Sequence, residues 1–149
     1  MFRVSRRLFA TVALATAAAS CGGTTTATSP STTPAIPTVI SETFSGTLLR
    51  NAAYTHPFSV TDSGDVSVFV IQSVDTRNPA NSDIPIGVSL GTWNGDTCSI
   101  VIAKDKVSPG NVIALTGRAT AAGNLCVRVY DVGFVPASSA NYELLIDHY

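Results

Sequence analysis

From about residue 40 onward the chain is a succession of short runs rich in Val, Ile, Thr, Tyr and Phe, each bounded by Gly, Pro, Asn, Asp or Ser. Runs this short, with no apolar recurrence at helical spacing, leave room for strands but not for amphipathic helices. Eight of them stand out, at residues 42–48, 54–60, 65–74, 86–90, 97–103, 111–117, 125–132 and 141–148. Many strands with turns between them point to an all-β sandwich or barrel rather than to alternating strands and helices. A single Met, a charged fraction of only 13% and no long Ala, Glu, Lys or Leu stretch agree with that.

The turn chemistry is specific in three places. Asp62-Ser63-Gly64-Asp65 turns the chain between Phe58-Ser59-Val60 and Val66-Ser67-Val68, and Asn94-Gly95-Asp96 and Pro109-Gly110-Asn111 do the same further on. In the run 65–74, alternation puts Val66, Val68 and Val70 on one face and Ser67, Phe69 and Ile71 on the other. The period alone does not choose which face is core.

Ahead of this domain the chain has a different character. Arg3, Arg6 and Arg7 precede an apolar run at residues 8–19, too short for the ~20 residues that a helix needs to cross a bilayer. Residues 1–20 therefore read as a signal peptide. Ser5-Arg6-Arg7-Leu8-Phe9 resembles the twin-arginine export consensus, and the weakly apolar Ala and Thr run behind it suits that route. The other route is general secretion with an incidental arginine pair. Ala18-Ala19-Ser20-Cys21-Gly22 resembles the lipobox of bacterial lipoproteins, in which the Cys receives diacylglycerol and becomes the new amino terminus. It departs from that pattern at Ala18, where Leu is usual. Cleavage by ordinary signal peptidase, giving a periplasmic or secreted protein, is the alternative.

The cysteine count bears on this choice. Three cysteines in an oxidising compartment leave one unpaired unless it has a separate fate. Cys98 and Cys126 lie in strand-like segments, whereas Cys21 stands alone at the end of the signal. Lipid on Cys21 and a Cys98–Cys126 disulfide account for all three. The expected protein is thus exported to the cell envelope and anchored to the membrane through Cys21.

Residues 21–39 form a linker. Beyond the cysteine and two glycines it is mostly Thr, Ser and Pro, without an aromatic or a charge, a composition that cannot bury enough apolar surface to fold. It reads as a semi-extended stalk of order 3 Å per residue where polyproline-like. Residues 40–149 are the domain proper.

Net charge is −1, but three of the nine basic residues fall in the signal, leaving six against ten acidic ones. A mildly acidic surface with no basic stripe gives nucleic acid little to hold, and none is expected as a partner.

Within the domain, several segments resemble the bacterial pre-peptidase C-terminal domain and its stand-alone relatives. They are Gly46-Thr47-Leu48, His56-Pro57-Phe58-Ser59-Val60, residues 87–95 (GVSLGTWNG), residues 126–133 (CVRVYDVG) and Asn141-Tyr142-Glu143-Leu144. The likeness runs over nearly all of residues 43–148 and is most specific in the Val-Arg-Val-Tyr-Asp run followed by Tyr-x-Leu. It implies a jelly-roll-like β-sandwich of about eight antiparallel strands that is not itself catalytic. With no peptidase ahead of the domain, an accessory role to an attached enzyme is not expected.

Candidate chemistry is sparse. His56 and His148 are the only histidines, neither in a metal spacing nor near a nucleophile-elbow or zinc-protease motif. No catalytic residue, metal or cofactor is assigned. Asp75, Asn78, Asn81 and Asp83 share one polar loop with the oxygen ligands that a hard cation uses, although an ordinary solvated loop has the same composition. Trp93, between Gly91 and Gly95, and Tyr54 are candidate ligand contacts through their rings. Arg128 alternates with Val127 and Val129, sharing a face with Cys126 and Tyr130, and its default role is a pair with Asp131 or Glu143. The expected function is a surface-displayed binding or accessory domain for a polysaccharide or protein partner. The alternative is a structural envelope-assembly lipoprotein without a specific ligand. An exposed aromatic cluster around Trp93 and Tyr54 would favour the first.

Overall fold

A computed structural model describes residues 36–149. Cys21, the signal peptide and most of the linker lie outside the described residues. Each of the eight expected segments is a strand: β1 Ile40–Leu48, β2 Ala53–Val60, β3 Gly64–Asp75, β4 Ile86–Trp93, β5 Cys98–Val107, β6 Ile113–Ala119, β7 Gly123–Tyr130 and β8 Ala140–His148. They build two four-stranded antiparallel sheets, ordered β1-β8-β3-β6 and β2-β7-β4-β5. The pairs β1·β8, β2·β7, β3·β6 and β4·β5 are nested, like a long hairpin rolled over on itself. That nesting is the connectivity of a jelly-roll sandwich.

The core is the apolar layer between the sheets. Val66, Val68 and Val70 of β3 face Val88 of β4 and Val127 and Val129 of β7, all essentially without exposure. The valine face of β3 is thus the core face, and Ser67, Phe69 and Ile71 lie on the other side. β3 then changes register against β8 between Val70 and Gln72. An extra residue at such a bulge moves the following side chains to the opposite face, so that Ser73 and Asp75 become buried.

Turn chemistry decides where the chain stays in a sheet and where it crosses. Asn94-Gly95-Asp96 closes the β4–β5 hairpin, with Gly95 at φ 101° and the Asn94 side-chain oxygen accepting the backbone N–H groups of Asp96 and Thr97 at 2.9 and 2.7 Å. Asp62-Ser63-Gly64 and Pro109-Gly110-Asn111 instead carry the chain from one sheet to the other. Strand ends differ from the sequence reading for local reasons. β5 continues to Val107 through Lys104-Asp105-Lys106, charges that an exposed edge strand accommodates and that break the apolar alternation. β7 stops at Tyr130 because the Asp131 carboxylate accepts the backbone N–H groups of Gly133, Phe134 and Val135, and that of Asn51 across the loop, at 2.7 to 3.1 Å. Burial raises the affinity of that carboxyl for its proton, but the four donors outweigh burial and hold it below the ordinary range.

The side of the sandwich where β1 meets β2 is sealed by rings. Phe44 stacks on His56 at 5.1 Å, and His56 Nε2 lies 2.7 Å from the Tyr142 hydroxyl of the opposite sheet. Phe58 packs on His148, whose Nε2 is 2.9 Å from Glu42 Oε1.

Candidate functional site

The outer face of the sheet β2-β7-β4-β5 carries the most unusual arrangement. In β4, Val88 and Leu90 point into the core, so Gly87, Ser89 and Gly91 point outward. Outward-facing residues of an antiparallel sheet are ordinarily wet. These three are buried all the same.

Their neighbours explain it. Across the sheet, Gly87 pairs with Tyr130, Ser89 with Arg128, and Gly91 with Cys126. The Tyr130 ring lies over Gly87, where any Cβ would overlap it. Its hydroxyl donates to Asp105 Oδ1 of β5 at 2.6 Å, so the ring is held across β4. Burial, then the hydrogen bond and charge of Asp105, push the phenol up to about 12. At the other end, Cys126 is bonded to Cys98 of β5, with Cα atoms 5.9 Å apart. β4 lies between the two cysteine strands, so the disulfide straddles it at Gly91. A Cβ at Gly91 would overlap the Ser99 carbonyl, which is why β5 can fold in so closely there.

Between these two clasps lies a cavity of about 190 Å³ walled by Ile100, Arg128 and Tyr130. Ile100 pairs with Gly91, Arg128 with Ser89 and Tyr130 with Gly87, so Ser89 lies on β4 between the positions opposite the other two walls, without lining the cavity itself. Its hydroxyl is fully buried and has no hydrogen-bond partner. Arg128 does share its face with Cys126 and Tyr130, but it pairs with neither expected carboxylate. Asp131 is spent on backbone donors, and Glu143 sits in β8 of the other sheet, opposite Ser45 and Gln72. Among the described residues no carboxylate lies within ion-pair distance of Arg128; the pairs present are Arg118–Asp65 and His148–Glu42.

A second cavity, of about 210 Å³, opens on the β5/β6 side between the sheets. It is lined mainly by Val66, Leu90, Val101, Ile102, Gly117 and Leu125 and is apolar, with Val101 71% exposed beside it.

The remaining candidates lie away from this face or along it. Tyr54 pairs with Val129, which pairs with Val88, five positions along β4 from Trp93; at about 3.3 Å per residue they stand roughly 16 Å apart along the strands. They do not form one aromatic cluster. Asp75 accepts from the backbone of Arg77 and the hydroxyl of Ser138, at 2.9 and 2.6 Å, and these bonds hold its carboxyl below the usual range. Asn81 accepts through its backbone carbonyl from Asp75 N at 3.0 Å, and Asn78 does so from Asn81 N at 2.9 Å. Asp83 bridges to Ser73. Among the described residues no three His, Cys, Asp or Glu side chains converge on a point where a metal ion could sit.

Sequence reasoning missed Ser89, Ile100 and Asp105, and placed Tyr130 on the face of Arg128 without giving it a role. The one available signal was the alternation Gly87-x-Ser89-x-Gly91, small residues on one face of a strand whose other face is Val and Leu. Small outward residues beside large cross-strand partners mark a place where neighbouring side chains lie down on the sheet. Comparison with known protein families and with curated proteins finds no match to this chain.

Proposed function

We propose that the chain is an exported cell-envelope protein, held at the membrane by lipid on Cys21, that displays a pre-peptidase-C-terminal-like sandwich as a non-catalytic binding domain. The binding surface is the outer face of the β2-β7-β4-β5 sheet. The observation that carries this reading is Arg128, a half-buried cation without an acidic partner that walls a cavity with Ile100 and Tyr130. Desolvating a charge is costly unless an opposite charge or hydrogen bonds offset it, and a bound partner supplies what the domain does not.

Two further features support it. The disulfide takes Cys98 and Cys126 and leaves Cys21 as the odd cysteine, free for lipid. Both histidines are engaged within the fold, His56 with Tyr142 of the opposite sheet and His148 with Glu42 of its own sheet and Phe58 of the other, which favours binding over catalysis. Durable anchoring needs more than one acyl chain, at about 0.8 kcal/mol per buried methylene, as a lipidated amino-terminal Cys provides.

Cys21→Ser is expected to move the protein from the membrane fraction to the soluble fraction; unchanged partitioning without detergent would refute the anchor. Crosslinking in native membranes is expected to capture a polysaccharide or protein partner that Arg128→Glu releases and Trp93→Ala retains. Capture indifferent to Arg128→Glu would move the binding face elsewhere.

A further inference from the structure

We infer that the Arg128 cavity takes a single carboxylate carried on a short apolar group; the inference rests on the binding-domain reading above. Arg128 presents a planar, permanently charged donor fork that matches a carboxylate two bonds at a time. Beside it the walls are the Ile100 side chain and the Tyr130 ring, which suit carbon rather than hydroxyl groups. Ser89, the cross-strand partner of Arg128, faces the same side of the sheet with a buried, unpartnered hydroxyl, but the cavity walls are Arg128, Ile100 and Tyr130 alone, so the guanidinium is the group that meets the carboxylate. A volume of about 190 Å³ is below the range of about 300 to 1,000 Å³ for sites that enclose drug-sized ligands, so the occupant is only a few carbons long.

The charge of the ligand is limited as well. Asp105 holds the Tyr130 hydroxyl at 2.6 Å, and its negative charge is felt at the phenol. A second negative charge on the ligand would meet that field. One carboxylate is therefore favoured over phosphate. A free organic acid and a peptide carboxyl terminus share this chemistry.

The test uses the full chain in detergent micelles, titrated by calorimetry at constant ionic strength with butyrate, N-acetylalanine, butyramide and inorganic phosphate. Butyrate and N-acetylalanine are expected to bind saturably, the tighter of the two naming the source, with butyramide and phosphate at least about tenfold weaker, as loss of a charge-assisted hydrogen bond predicts. Arg128→Gln is expected to abolish carboxylate binding while keeping the wild-type unfolding midpoint, and Ile100→Ser to weaken it. Equal binding of butyrate and butyramide, or carboxylate binding unchanged in Arg128→Gln, would overturn the inference. If a membrane partner is still captured and released by Arg128→Glu but neither carboxylate binds, the carboxylate assignment falls and the binding-domain reading stands. If Arg128→Glu releases no partner and neither carboxylate binds, both fall.

Discussion

The two outer faces of the sandwich are made differently although both belong to four-stranded antiparallel sheets. On β1-β8-β3-β6 the outward side chains of β1 and β8 include short polar groups that bond across the strands, as Ser41 does Asp147 at 2.6 Å and Thr47 does Asn141 at 2.8 Å, and β3 turns Phe69 and Ile71 out beside them. Water can replace each of those bonds. On β2-β7-β4-β5 the outward side chains of β4 at positions 87, 89 and 91 have shrunk to Gly, Ser and Gly; the Tyr130 ring lies over Gly87, and a disulfide joins the strands on either side of Gly91. On one face the side chains stand side by side; on the other a ring and a disulfide cover glycines, with a buried hydroxyl at the position between them. A face of the second kind pays in tolerance for what it gains in shape.

That contrast sets the size of mutational effects. The largest is expected from removing the disulfide. Cys98→Ala with Cys126→Ala reopens a 28-residue loop and is expected to lower stability by about 3 to 4 kcal/mol, read from denaturant midpoints. Loss of less than about 1 kcal/mol would mean that the clasp at Gly91 holds without the bond. Next comes Gly87→Ala, which drives the Tyr130 ring off the sheet and breaks its bond to Asp105, at a cost of about 1 to 3 kcal/mol. A phenol that titrates nearer its ordinary value in this variant, followed by ultraviolet absorbance, would show the ring released. Ser89→Ala should act in the opposite sense, stabilising by about 1 kcal/mol because it removes a buried hydroxyl without a partner. Destabilisation by Ser89→Ala would mean the hydroxyl is satisfied after all. Thr47→Val on the other face is expected to change stability by no more than about 0.5 kcal/mol.

The sealed β1/β2 side adds a dependence on pH. Burial lowers the His56 pKa, so the unfolded chain binds its proton more readily than the folded one. Stability from this group is complete above the unfolded value of about 6.5 and is lost as pH falls below it toward the folded value. Unfolding midpoints compared at pH 7.5 and 5.5 should fall in the wild type and fall less in His56→Gln. Equal slopes would remove His56 from the account.

The strands are legible in the sequence because each has its own turn signal and its own alternation, both local. The valine face of β3 becomes identifiable only once β4 and β7 are placed opposite it, and the bulge after Val70 has no sequence mark. The Cys98–Cys126 pair follows from counting, since the fate of the third cysteine constrains the other two. The candidate site is not legible, because it exists only where Tyr130 meets Gly87 and Arg128 meets Ser89 across a register that no single segment encodes. Arg128 and Asp131 look like partners in the chain, yet the loop after β7 claims the carboxylate for its own backbone.

The nested pairing has a consequence for the order of events during biosynthesis. β8, the eighth of the eight described strands in chain order, sits between β1 and β3 in the middle of its sheet. Until residues 140–148 leave the ribosome, β1 has no partner, and of the four nested pairs only β4·β5 is formed by strands joined through a tight turn. Chains dominated by such distant pairings fold slowly, because loop-closure entropy is spent before the contacts that reward it exist. A nascent chain of this protein therefore stays open until synthesis of β8 is complete, and a truncation within β8 is expected to remove the folded state rather than trim it.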